Sequence, residues 1–124
     1  MDAGSKPAMG GRVAGGLGED LAARYLELRG IHVIARNLRL REKEIDLLAR
    51  DGDCLVCVEV KLRRGAAHGR ASEGFAPRQR ARLRAALREL VYRRSWRGDY
   101  RLDLVTIDLD RGGDRLVLEH FRGL

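Results

Sequence analysis

A chain of 124 residues has room for one domain with a core of its own, and 44% hydrophobic with 35% charged residues fits a folded protein rather than a disordered one. No apolar run approaches the roughly 18 residues needed to cross a bilayer, so no membrane partner is expected. The net charge of +7 is unevenly spread: residues 62–97 hold eleven Arg against two acids, and the rest of the chain nets −2. A basic block beside a faintly acidic remainder is the footprint of a polyanion binder. The alternative, which the charge pattern favours less, is a solvated Arg-rich helix in a chain with 22 Arg and 3 Lys.

Residues 1–16 carry five Gly and one Pro and read as a flexible N-terminal arm, leaving 17–124 as a single domain. The arm lacks the apolar core of a secretory signal, which makes the cytoplasm the expected location. A helix is predicted from about Leu17 to Arg29, stopped by Gly30. Leu21, Ala22, Tyr25, Leu26 and Leu28 form its apolar arc. Glu19 falls on the edge of that arc, in line with Ala22, Ala23 and Leu26, whereas Asp20 and Glu27 point away.

Ile31–Asn37 reads as a first strand. Glu44–Ala49 and Cys54–Lys61 read as two stronger ones, and Asp51-Gly52 between them is a hairpin signal. Cys54 and Cys57 are the only cysteines. Extended chain holds their sulfurs too far apart for a disulfide, so two buried free thiols are expected. Leu62–Ser72 is a basic loop. A second helix follows from Pro77, a residue suited to a first helical turn, to about Arg94. Its buried line is Leu83, Ala86, Leu87 and Leu90, with Gln79 on the same face and Arg80, Arg84 and Arg88 down one flank. Strands at about Tyr100–Leu109 and Arg115–Phe121 complete the order αβββαββ, an α/β sandwich around one mixed sheet.

Alternation along the third strand puts Leu55, Cys57, Glu59 and Lys61 on one face and Val56, Val58 and Val60 on the other. With Asp51-Gly52 as a two-residue turn, Asp46 pairs with Cys57 and Glu44 with Glu59. Both acids then join the face of Glu59 and Lys61, opposite an apolar face that includes Ile45 and Leu47. Clustered charge on a core strand is costly unless something compensates it. Carboxylate oxygens with a backbone carbonyl suit hard Mg²⁺ or Mn²⁺, which polarises a phosphodiester and acidifies a bound water. A neighbouring lysine can steer that water and offset transition-state charge. A Glu–Lys pair closing a sheet edge, with Asp46 in a surface ladder, fits the same spacing.

Gly18-Glu19-Asp20 with Ala22, Ala23 and Tyr25, then Arg36-Asn37, Glu44-Ile45-Asp46-Leu47-Leu48 and Val58-Glu59-Val60-Lys61-Leu62-Arg63, resemble the YraN family. That family belongs to the restriction-endonuclease-like PD-(D/E)xK group and resembles archaeal Holliday junction resolvases. The similarity runs from about Gly15 to Ile107, through Gly69, Glu73 and Arg101-Leu102-Asp103. It implies a restriction-endonuclease-like sandwich, metal binding by Asp46 and Glu59, a catalytic Lys61, and Glu19 beside the site as an auxiliary acid. Two positions depart from the family pattern: Lys43 stands where Gly is usual, and Gln79 where Lys is.

The expected activity is therefore Mg²⁺- or Mn²⁺-dependent hydrolysis of phosphodiester bonds in DNA, with branched DNA among the candidate substrates. The carbonyl of Val60 joins Asp46 and Glu59 at the metal, and Glu44 and Gln79 are auxiliary. Arg63, Arg64, Arg70, Arg80, Arg84 and Arg88 contact the DNA backbone, which binds phosphate without reading bases. The rival expectation is a nucleic-acid-binding module of the same fold with weak or no catalysis. A homodimer is left open.

Overall fold

The computed structural model describes residues 12–41, 43–65 and 75–124, with backbone only for 12–15. The elements are α1 (Arg12–Leu28), β1 (His32–Arg39), β2 (Glu44–Asp51), β3 (Cys54–Arg64), α2 (Pro77–Arg93), β4 (Asp99–Leu109) and β5 (Leu116–Phe121). The order is the expected αβββαββ. The first helix begins at Arg12, five residues before the predicted Leu17, because extending an anchored helix costs far less than starting one. The rest of the expected arm lies outside the described residues, as does Arg70.

The five strands form one sheet in the order β1-β2-β3-β4-β5. Strands β3 and β4 run parallel, joined across α2, and the other neighbours are antiparallel. Helix α1 ends in a Schellman arrangement: Ile31 N–H donates to Leu26 O and Gly30 N–H to Glu27 O. Ile31 and Leu26 then pack in the same cluster. Among the described residues no helix is long and apolar enough to cross a membrane.

The sheet is covered on both faces. Ala22 and Leu26 of α1 pack on Leu47, Ala49, Val56, Val58, Val105 and Ile107. Leu83, Ala86, Leu87 and Leu90 of α2, the predicted line, pack on Leu48, Leu55, Cys57, Leu102 and Leu104. The alternation in β3 therefore sorts as expected. Both cysteines are free, Cys57 buried and Cys54 half-buried.

The β2–β3 hairpin corrects the expected register. Asp51 pairs with Cys54, so Gly52-Asp53 forms the turn, with Gly52 at φ 60° in the first central position. Leu48, not Asp46, faces Cys57. The slip is two residues, one full strand period, so the assignment of Asp46 and Leu47 to opposite faces survives it. Ile45 does not follow: it packs with Leu40 and Leu48 on the α2 side. The registered β2–β3 pairs end at Leu47–Val58, and the Asp46 side chain instead takes the Val60 N–H at 2.8 Å. The strand turns away there, carrying Ile45 across.

On the α1 face lies a buried polar chain that sequence reasoning did not foresee. Asp103 is fully buried and accepts from Arg101 Nε at 2.9 Å and Gly123 N–H at 3.0 Å. Its other oxygen lies 2.8 Å from His120 Nε2, and His120 Nδ1 lies 3.1 Å from the Tyr25 hydroxyl. Burial would raise the Asp103 pKa, but bonds from His120, Arg101 and Gly123 outweigh it and hold the carboxyl below its ordinary 3.8. A depressed folded pKa stabilises above the unfolded value, and this stabilisation is lost as pH falls through the folded one. Asp103→Asn is expected to cost on the order of 3 kcal/mol at neutral pH, since it removes the buried carboxylate charge that holds buried His120 and half-buried Arg101, although Arg101 keeps its ion pair with Asp51. Urea unfolding should show the gap to wild type shrinking in strong acid.

Candidate functional site

Three elements converge at the upper half of β3. Glu59 and Lys61 stand on its α2 face, and the first turn of α2 places Gln79 over both. Gln79 Nε2 donates to Glu59 Oε2 at 3.1 Å, and Lys61 Nζ donates to Gln79 Oε1 at 3.3 Å. One amide thus bridges the carboxylate and the ammonium. Pro77 in the first turn of α2 fixes where that helix begins and so where Gln79 lands.

Glu59 is 5% exposed, and its Oε1 is buried with no hydrogen-bond partner. Burial first, then the Asp46 carboxylate, raise its pKa to about 8, against the opposing charges of Lys43 and Lys61. A buried acid with an unsatisfied oxygen beside a second acid is short of positive charge. Asp46 is half-buried, with Oδ2 held by the Val60 N–H, which fixes its direction beside the third expected ligand residue.

Glu19 reaches the same region from the other face. Gly18 allows the approach: a Cβ there would come within 3.3 Å of Leu62 Cβ, so α1 lies close against β3. Burial, then Asp46, raise the Glu19 pKa, while a hydrogen bond with Asn37 and the charge of Arg36 oppose the rise. Asn37 sits at φ 51° in β1, a left-handed conformation Asn tolerates better than most residues. Glu44 is exposed, pairs with Arg39, and adds its charge to those acting on Glu19. The expected pairing of Glu44 with Glu59 is lost with the revised register.

Among the described residues no three His, Cys, Asp or Glu side chains are grouped to hold a metal ion. Asp46 acts on both of the other acids, Glu59 and Glu19. Val60 and Leu62 pack with the α1-side cluster, and Arg63 follows Lys61 two positions on, half-buried. Arg64 is exposed at the end of β3. Along α2, Arg80 is half-buried and Arg84 and Arg88 are exposed, all on one flank.

Two site residues were missed. Lys43, noted only as a departure, is close enough for its charge to favour ionised Glu59. Thr106 pairs in register with Lys61 on β4, and its buried hydroxyl lacks a partner. A lone Thr in an apolar strand gives no sequence signal. Its placement comes only from the parallel β3–β4 register.

The model of a family described as "Uncharacterised protein family UPF0102" matches residues 18–107. A UPF0102 protein of Herpetosiphon aurantiacus is 40% identical over 118 residues, covering 91% of this chain and 94% of that one. One of Rhodococcus opacus is 46% identical over 112 residues, covering 87% and 92%. One of Pelotomaculum thermopropionicum is 39% identical over 111 residues, covering 89% and 92%.

Proposed function

We propose that this chain, which belongs to the UPF0102 family, is a Mg²⁺- or Mn²⁺-dependent endonuclease acting on DNA. The observation that carries this reading is the buried Glu59 carboxylate, with Oε1 unpartnered and pKa raised beside Asp46. The donor set fits a hard divalent ion. Asp46 and Glu59 supply two carboxylates and Val60 a carbonyl, and Mg²⁺ commonly keeps several waters in its remaining positions. A bound ion of this kind supplies Lewis-acid polarisation of a phosphodiester and a water of lowered pKa.

The protein's own groups account for the rest. Gln79 fixes Lys61 through one of three ammonium donors, leaving the others for a phosphate oxygen, where they offset developing charge. Gln79 also holds one Glu59 oxygen, so the other keeps a set direction. Glu19, with its raised pKa next to Asp46, is suited to accept a proton from, or position, a water at the edge of the site. Arg63 and Arg64 continue from the site along β3, and Arg80, Arg84 and Arg88 along α2. The substrate class follows from that basic flank, and branched DNA is the structure the family resemblance favours.

Incubation with linear, supercoiled and branched DNA, in Mn²⁺ and in a chelator, tests the reading. Cleavage in the metal alone is the expected result. The rival reading, a binding module without efficient chemistry, draws on the Gln79 bridge, in which an uncharged amide ties Lys61 to Glu59. DNA binding without cleavage in any metal would favour it. For the basic flank, changing Arg80, Arg84 and Arg88 together to Ala is expected to weaken duplex binding. The salt dependence should flatten by up to roughly 0.9 log units per lost phosphate contact. Unchanged affinity and slope would make the flank a solvated helix face.

A further inference from the structure

The far end of α2 carries a feature that neither the acid pair nor the basic flank explains. Between the last turn of α2 and the start of β4 lies an open groove of about 500 Å³, lined by Arg88, Tyr92, Trp96, Arg97 and Tyr100, with no acid in its wall. Tyr92 is 85% exposed and Tyr100 46%, unusual for large aromatics on a chain with only six. Trp96 lines the same groove and is anchored. Its indole N–H donates to Asp99 O at 2.8 Å, its backbone N–H to Val91 O at 3.0 Å, and Arg50 lies 5.5 Å from its ring centre. Arg88 and Arg97 form no ion pair among the described residues, whereas nearby Arg93 is held by Glu89.

From these observations we propose that the groove binds a single-stranded stretch of DNA, with bases stacked on Tyr92 and Tyr100 over the Trp96 floor and phosphates held by Arg88 and Arg97. Aromatic rings interleaved with unpaired guanidinium groups suit unstacked bases on a charged backbone. A duplex hides its base faces and cannot use them. The groove is continuous with the basic flank: from Gln79 at the acid pair to Arg88 is nine residues of α2, about 14 Å of helix. This inference rests on the nucleic-acid reading above and narrows its substrate to DNA with a single-stranded segment near the cleaved bond.

Trp96 is the only tryptophan, so its fluorescence reports on the groove without a label. Short oligo-dT titrated into the full chain, in chelator, is expected to quench Trp96 emission to saturation, less so at higher salt. In the Tyr92→Ala/Tyr100→Ala variant oligo-dT affinity should fall roughly tenfold or more, with blunt-duplex affinity unchanged. Arg97→Glu, at an exposed position, should weaken the single strand in the same selective way. Oligo-dT binding with no change in Trp96 emission would overturn the proposal. So would equal losses on duplex and single strand, or tighter binding of oligo-rU, which would assign the groove to RNA. Because no metal is present, the outcome is independent of cleavage. A groove that binds oligo-dT in a protein that never cuts DNA sinks only the nuclease reading, and the reverse result sinks only the groove.

Discussion

Glu59→Gln is expected to abolish metal-dependent cleavage and, with no metal present, to make the protein more stable. The substitution removes a ligand charge while its amide oxygen can still accept from Gln79. Burial and the Asp46 carboxylate raise the Glu59 pKa from 4.5 to about 8, so the folded state holds this proton more tightly than the unfolded one. Stability from such a group is complete below the unfolded value and is lost as pH rises through the folded one. Wild type without metal should therefore weaken between pH 4.5 and about 8, and the variant should not. The gap should reach on the order of 2 kcal/mol at the alkaline end of that window. Thermal melts across it, in chelator, give the comparison. A variant that melts lower than wild type at every pH would mean that Glu59 is a satisfied structural acid.

Lys61→Ala should separate chemistry from binding. Lys61 is one cation among many available to a DNA backbone, so its loss should change duplex affinity by no more than about twofold. Turnover should fall roughly 100- to 1000-fold, the usual cost of deleting one donor that offsets charge in the transition state. Single-turnover cleavage and equilibrium binding on the same DNA read the two effects separately. A loss of affinity matching the loss of rate would make Lys61 a phosphate contact only.

Much of this site was readable from the chain because strand periodicity is forgiving in one direction. The turn lies one residue later than expected and the register slips by two, yet Asp46 and Leu47 keep their predicted faces. A slip of one would have exchanged them. The helical period was equally informative in α2, where Leu83, Ala86, Leu87 and Leu90 are buried and Gln79 sits in line with them. It also puts Glu19 on the inner edge of α1, where the residue is half-buried. Ile45 defeated the same logic because Asp46 replaces a backbone partner for Val60, an event no alternation pattern records. Thr106 beside Lys61 and His120 against Tyr25 were out of reach for a different reason. Lys61 and Thr106 meet only through the parallel β3–β4 register, His120 on β5 meets Tyr25 on α1 across 95 residues of sequence, and neither Thr106 nor His120 carries a local signal. Lys43 stood in view as a departure, but its effect on Glu59 depends on how the segment before β2 folds back.

The most direct test of the account is nicking of supercoiled plasmid DNA in Mn²⁺ by wild type and by Glu59→Gln at equal concentration, with a chelator control. Wild type alone should nick the plasmid, and should not once the metal is removed. Nicking by the variant at the wild-type rate, or nicking that survives the chelator, would contradict it.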